Sequence, residues 1–338
     1  MTLPSPARFP LAPDLLVCRI LNGMWQVSGA HGAIDPDRAV AAMFAYHDAG
    51  FTTWDLADHY GPAEDFVGAF RRRFAAERGA AGLDDIQACT KWVPPPGPMT
   101  RRVIEDAVGV SLRRMGVNRL DLLQFHWWDY GDNRYLDALK HLADLCDAGK
   151  IRHLALTNFD TARLAVIAEH GIRIVSNQVQ YSLVDRRPDA LMAAWCRDHG
   201  VALLAYGTLL GGLLSERWLG RPEPGRGDLP TASLRKYKQM IDAWGGWALF
   251  QELIAAVKRV AEKHGASIAN IGTSYVLDRT AVAGVIIGAR LGVAEHIADN
   301  ARTFDVALDA ADLAVLDPVL ARSRDLMTAI GDCGDEYR

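Results

Sequence analysis

Four ionisable residues of four kinds stand at or just beyond short apolar runs. Asp55 and Tyr60 lie in Trp54-Asp55-Leu56-Ala57-Asp58-His59-Tyr60-Gly61, Lys91 in Thr90-Lys91-Trp92, and His126 in Gln124-Phe125-His126-Trp127-Trp128. A phenol loses its proton only near pH 10 and is a slow acid at neutrality. A nearby ammonium stabilises the phenolate and lowers that value. Lys91 supplies one if Asp55 holds it by a charge-assisted hydrogen bond, and His126 can then hydrogen-bond a carbonyl oxygen beside Tyr60. Such a set suits the protonation of an oxygen that turns negative as its carbon accepts a hydride.

These side chains need a scaffold that brings strand ends together. Eight runs read as strands: Leu16–Trp25, Thr52–Leu56, Ile86–Lys91, Leu120–His126, Ile151–Thr157, Ile174–Gln180, Ala202–Tyr206 and Val282–Ile287. Most are nearly continuous in Val, Ile, Leu and aromatics, the pattern of parallel strands covered by helices. Between them lie helical stretches with start and stop signals. Asp35-Pro36 opens one that closes at Ala49-Gly50, Thr100 caps another that ends near Gly116, and Asp132–Gly149 and Asp160–Gly171 repeat the scheme. His199-Gly200 and His264-Gly265 end two more. Asp55, Lys91, His126 and Asn158 fall 36, 35 and 32 residues apart, the period of βα units. Eight units predict a closed (β/α)8 TIM barrel, whose active groups gather at the carboxyl ends of the strands. The alternative, a doubly wound sheet, usually carries GxGxxG after its first strand, and none occurs. Gly207–Trp247, with a helix over Ser233–Ala243, reads as an insertion after strand seven. Leu308–Met327 reads as one closing helix, and polar Ala329–Arg338 as a loose end.

The chain has 338 residues, 37 Lys+Arg and 41 Asp+Glu, hence 37 − 41 = −4, with half its residues hydrophobic. That apolar fraction excludes a disordered chain, and the balance argues against a nucleic-acid partner. No run is long enough for a membrane span and no secretory signal is visible. Five widely spaced cysteines without a CxxC pair predict neither a disulfide framework nor a zinc ribbon. These features predict one cytoplasmic domain over 1–338, its core about 16–327, without a metal. Arg71-Arg72-Arg73 reads as the solvated face of a helix.

The ordered tetrad resembles the aldo-keto reductase superfamily, barrel oxidoreductases that use a nicotinamide cofactor. The resemblance implies that Asp55, Tyr60, Lys91 and His126 are catalytic. It implies that Thr157 and Asn158, in Leu156-Thr157-Asn158-Phe159, and Gln178 hold the carboxamide, and that Tyr206 stacks on the nicotinamide ring. Gly207, Thr208 and Leu209 replace the family's Ser-Pro-Leu at the pyrophosphate. Gly288, Ala289 and Arg290, with His296 and Asn300, look like the adenosine-phosphate clamp, His296 standing where Gln is usual. Arg290 suits a 2′-phosphate, so NADP(H) is expected ahead of NAD(H), and a small aldehyde or ketone as substrate.

Singly, each residue has an ordinary explanation: a helix-capping Asp, a solvated Lys, a packed Tyr, a core His. Their joint order at consecutive strand ends carries the functional reading. Trp25, Trp92 and Trp127 are expected in the substrate pocket, with packing under the loops as the alternative; Trp218, Trp244 and Trp247 stay open between lid packing and pocket wall. Loops Trp25–Asp35, Trp127–Asn133 and Gly207–Gly246 are expected to set specificity. Two rivals remain: a non-catalytic NADPH-binding, redox-sensing subunit of a larger complex, and a lyase or isomerase that needs no nicotinamide.

Overall fold

The computed structural model describes residues 3–4, 7–29, 32 and 34–337. Three positions of the expected loop Trp25–Asp35 (30, 31 and 33) and the final residue of the expected loose end lie outside the described residues.

Eight parallel strands close into a barrel: β3 (Ile20–Gly23), β4 (Thr53–Asp55), β5 (Gln87–Trp92), β6 (Leu120–Phe125), β7 (Ile151–Thr157), β8 (Ser176–Gln180), β9 (Ala202–Tyr206) and β10 (Val282–Gly288), with β10 pairing back onto β3. An antiparallel hairpin, β1 (Arg8–Ala12) and β2 (Leu15–Cys18), precedes them. The apolar run Leu16–Trp25 is therefore not one strand. Its first part belongs to the hairpin, its middle to the barrel wall, and Trp25 starts a 3-10 turn. The hairpin is the barrel floor: Leu11, Ala12, Leu15 and Val17 bury against Leu21, Cys89, Leu122, Ala155, Leu204 and Ala283. A second apolar cluster, between the strands and the helices, holds most of the core.

The helices start where the sequence places their caps. Asp35 accepts from the Arg38 amide ahead of α1 (Pro36–Asp48), Thr100 from Val103 ahead of α3 (Arg101–Met115), and Asp160 from Arg163 ahead of α5 (Thr161–Glu169). Between α1 and α3 lies α2 (Ala63–Arg78). Its Arg71 is not a solvated side chain: it donates to the Leu83 and Ile86 carbonyls. α4 (Tyr135–Asp147) begins one turn later than Asp132, whose carboxylate accepts from the Arg134 amide instead. After β8 comes α6 (Met192–His199).

The insertion runs through three one-turn 3-10 segments to α7 (Ala232–Trp244), then α8 (Gly246–His264) and α9 (Ile268–Leu277). Trp218, Trp247 and Phe250 pack on one another and Trp244 is fully buried, so these indoles are packing residues. After β10 come α10 (Ile297–Arg302), α11 (Ala310–Leu320) and α12 (Leu326–Ile330). Leu308–Met327 is thus two helices, parted where the Arg324 amide turns to donate to the Trp244 carbonyl. The end is not loose either: Cys333 is fully buried and Asp335–Tyr337 form a last turn against the barrel mouth. Among the described residues no helix is long and apolar enough to cross a membrane.

Candidate active site

Side chains alternate across a strand, and the alternation sorts the barrel interior into layers. In β6, Leu122 points to the floor cluster, Gln124 joins the polar layer above it, and His126 follows at the rim. In β5 the same order gives Cys89, then Lys91. Asp55 ends β4 at this level. Lys91 Nζ donates to both Asp55 oxygens, at 2.7 and 2.6 Å, and to the Leu56 carbonyl at 3.1 Å. Both side chains are 4% exposed. Gln124 and Gln178 also donate to Asp55 Oδ1, at 3.1 and 2.7 Å, and Gln178 bridges to Gln124 Oε1 at 2.7 Å.

Lys91 therefore directs all three N–H donors away from the phenol and meets Tyr60 as a cation 5.0 Å from its ring centroid. Burial, followed by the charges of Asp55, Tyr337 and Asp58, pushes the Tyr60 hydroxyl well above its ordinary value. The lowering expected from Lys91 is not what this arrangement produces, because Asp55 offsets the ammonium at contact distance and burial disfavours the phenolate. Tyr60 keeps its proton at neutral pH and is placed as a donor. Trp25 packs edge-on against it at 5.0 Å.

His126 is buried, with Nδ1 3.2 Å from the Thr157 carbonyl oxygen, an acceptor that fixes the ring and assigns that nitrogen the proton. The indole at its ring is Trp128, 4.2 Å away and edge-on. Trp92 and Trp127 pack instead on Phe125, and Trp127 ties down its loop through the Asp129 and Asp132 carbonyls.

The residues expected at a cofactor divide into two groups. Asn158, Gln178 and Tyr206 converge at neighbouring strand ends, where the Tyr206 hydroxyl donates to Asn158 Oδ1 at 2.8 Å. Asn158 sits at φ 58°, a left-handed conformation that asparagine tolerates. A side chain at Gly207 would run into the Tyr237 hydroxyl. The Thr157 and Thr208 hydroxyls both turn to backbone carbonyls, of Gln178 and Tyr181, each at 3.3 Å. Leu209 packs towards α9. On the far rim, Gly288 ends β10, buried Ala289 and exposed Arg290 follow it, His296 precedes α10, and Asn300 lies on it. Beside them is a groove of about 210 Å³ lined by Ala42, Tyr46 and residues 292–295. The two groups offer amides, an aromatic ring and a guanidinium in sequence along the mouth.

Sequence reasoning missed Gln124, although its two-residue offset from His126 marks it as inward-facing. It also missed Lys236, Glu336 and Tyr337, which meet at Tyr206 and carry no local signal. Among the described residues no group of three or more His, Cys, Asp or Glu is placed to hold a metal ion.

The chain matches the model of the Aldo/keto reductase family over residues 19–321. Flagellar radial spoke protein 5 of Chlamydomonas reinhardtii is 28% identical over 66% of this chain, which spans 49%, about half, of that relative. L-glyceraldehyde 3-phosphate reductase of Escherichia coli K12 is 25% identical, with 88% of each chain covered. Among solved structures, a glycerol dehydrogenase from Gluconobacter oxydans aligns with a TM-score of 0.75 at 24% identity, over 94% of this chain and 96% of that one. An aldo/keto reductase from Klebsiella pneumoniae, in complex with NADP and acetate, aligns with a TM-score of 0.70 at 24% identity, over 93% and 95%.

Proposed function

Since the chain belongs to the aldo/keto reductase family, we propose that it reduces a small aldehyde or ketone to an alcohol with NADP(H). The observation that carries this reading is the cluster of buried Asp55, Lys91 and His126 with half-buried Tyr60 at one barrel mouth. The residues also fit the cofactor: Asn158 and Gln178 offer amides to a carboxamide, Tyr206 offers a ring beside them, and Arg290 offers a guanidinium to a 2′-phosphate. NADP(H), when bound, supplies the hydride. The chain's own part is the proton and the geometry. Tyr60, held neutral by burial, gives its proton to the carbonyl oxygen as charge develops there. Asp55 and Lys91 position the phenol and form a fixed polar floor beneath it. His126, its ring locked by the Thr157 carbonyl, orients the same oxygen, and Trp25 and Trp128 wall the space around it.

NADPH oxidation with a panel of aldehydes, comparing wild type with Tyr60→Phe, tests the assignment. The variant should lose about 10²–10⁴-fold in turnover, the usual contribution of a general acid, while still binding NADPH. Undiminished turnover rejects the role of Tyr60. NADPH binding without turnover on any carbonyl would favour the redox-sensing subunit instead.

A further inference from the structure

The segment beyond α12 has a root and a tip of different character. The root is locked. Arg187, 3% exposed, donates to the Gly331 and Asp332 carbonyls at 3.4 and 3.0 Å and grips Asp185 with two bonds of 2.9 and 2.8 Å. The Thr161 amide donates to the Asp332 carboxylate at 2.7 Å, and Cys333 is fully buried. The tip begins after Gly334, whose φ of +93° is a conformation glycine adopts without strain. It lies across the barrel mouth. Glu336 accepts from Arg187 at 3.0 Å and from the Tyr206 hydroxyl at 3.3 Å. The Tyr337 hydroxyl lies 3.1 Å from that of Tyr206 and accepts from Lys236 Nζ. The Tyr337 ring stands 6.4 Å from both His126 and Trp128, and the Lys236 ammonium is 5.0 Å from the Tyr206 ring centroid.

The tip therefore bridges the residue assigned to the nicotinamide ring and the histidine assigned to the substrate oxygen. We propose that Asp335–Tyr337 form an acidic latch that closes the mouth of the cofactor-free chain and swings out about Gly334 when the dinucleotide binds, so that tip and cofactor compete for Tyr206. The proposal rests on the NADP(H) reading above.

Release of the tip breaks the bond from the Asp332 amide to the Asp335 carboxylate at 2.8 Å as well as those at the mouth, while the root keeps its own partners. Arg187 retains its two-pronged pair with Asp185 when Glu336 departs, so no buried cation is left alone. Tyr206 keeps its hydrogen bond to Asn158 Oδ1 when it loses Glu336 and Tyr337, and the Lys236 ammonium loses its bond to the Tyr337 hydroxyl. A ligand excluded from the closed state binds with an affinity reduced by the fraction of chains that are open.

The experiment is NADPH titration by tryptophan fluorescence on the full chain, on a chain ending at Gly334, and on Tyr337→Ala, with thermal midpoints confirming that each is folded. Tyr337→Ala keeps the Glu336–Arg187 pair and guards against misfolding of the truncated form. Both variants should bind NADPH about tenfold more tightly, as expected if roughly a tenth of the wild-type chains are open. Carboxypeptidase should trim the tip of the full chain faster when NADPH is present. Equal or weaker NADPH binding by both variants, with a raised KM for the carbonyl, overturns the latch and makes the tip a pocket wall. Protection of the tip by NADPH overturns it too. Equal binding removes the latch alone, whereas no binding to any form removes the cofactor reading and the latch together.

Discussion

Asp55→Asn keeps the size of the side chain and removes its charge, at a position where four hydrogen bonds from three residues meet. Lys91 reaches both carboxylate oxygens, at 2.7 and 2.6 Å, while Gln124 and Gln178 reach Oδ1 at 3.1 and 2.7 Å. An asparagine offers one accepting oxygen to these donors and turns an N–H₂ donor towards the rest. At 4% exposure for both Asp55 and Lys91, water does not compensate. Breaking a buried pair by removing one partner costs about 3–5 kcal/mol. At about 2.1 cal/mol/K of unfolding entropy per residue, a chain of 338 residues shifts by about 1.4 °C per kcal/mol, so the thermal midpoint should fall by roughly 4–7 °C. The partner experiment is Asp55→Asn/Lys91→Met, which removes the orphaned ammonium and leaves the asparagine oxygen to the two glutamine amides. It should recover at least half the loss, a coupling of about 2 kcal/mol, within the range for residues in direct contact. The assay is thermal unfolding followed by circular dichroism. A fall below about 2 °C in the single variant, or a double variant whose loss equals the sum of the two singles, refutes the claim that a buried charge pair organises this floor.

Three further outcomes follow from the same geometry. A Cβ at Gly68 of α2 would overlap the backbone carbonyl oxygen of Arg114 on α3, whereas Gly97 faces open space. Gly68→Ala should lose about 1–3 kcal/mol by overpacking and Gly97→Ala almost nothing, and equal urea midpoints would contradict the close helix contact. Burial opposes ionisation of Asp312, but hydrogen bonds from Lys263, the Asp309 amide and His264 outweigh it and hold the carboxyl at about 2. Its folded value lies below the unfolded one near 3.9, so this stabilisation is complete above about pH 4 and lost as pH falls towards 2. Thermal midpoints of Asp312→Asn should therefore approach wild type below pH 3, and a constant gap from pH 6 to 2 would refute the linkage. Arg290→Ala should raise the KM for NADPH roughly 10–150-fold, the range of a charge-assisted hydrogen bond, and leave that for NADH nearly unchanged; parallel changes in both would remove Arg290 from the phosphate.

The barrel is legible because its strands are mostly buried on both faces and helices such as α1, α3 and α5 carry their own caps. The same property explains the one misplaced strand. Leu15–Cys18 plugs the barrel floor and Ile20–Gly23 forms its wall, two environments equally apolar, so hydrophobicity does not separate them. Gln124 is legible through alternation with His126. The relation of Trp127 to Trp128 is not: adjacent indoles differ here only in which one packs under the loop.

The chemical identity and order of the tetrad reside in the sequence, because Asp55, Lys91 and His126 lie at the ends of successive strands, Tyr60 follows Asp55 in the same segment, and none needs a distant contact to be found. The closed mouth belongs to the tertiary structure. The Tyr206–Tyr337 contact joins residues 131 apart, and the Glu336–Arg187 pair joins residues 149 apart. No local pattern encodes such separations. The direction in which the Tyr60 hydroxyl moves belongs there as well: burial, followed by the charges of Asp55, Tyr337 and Asp58, pushes it up, where the nearness of Lys91 in the motif predicts the reverse.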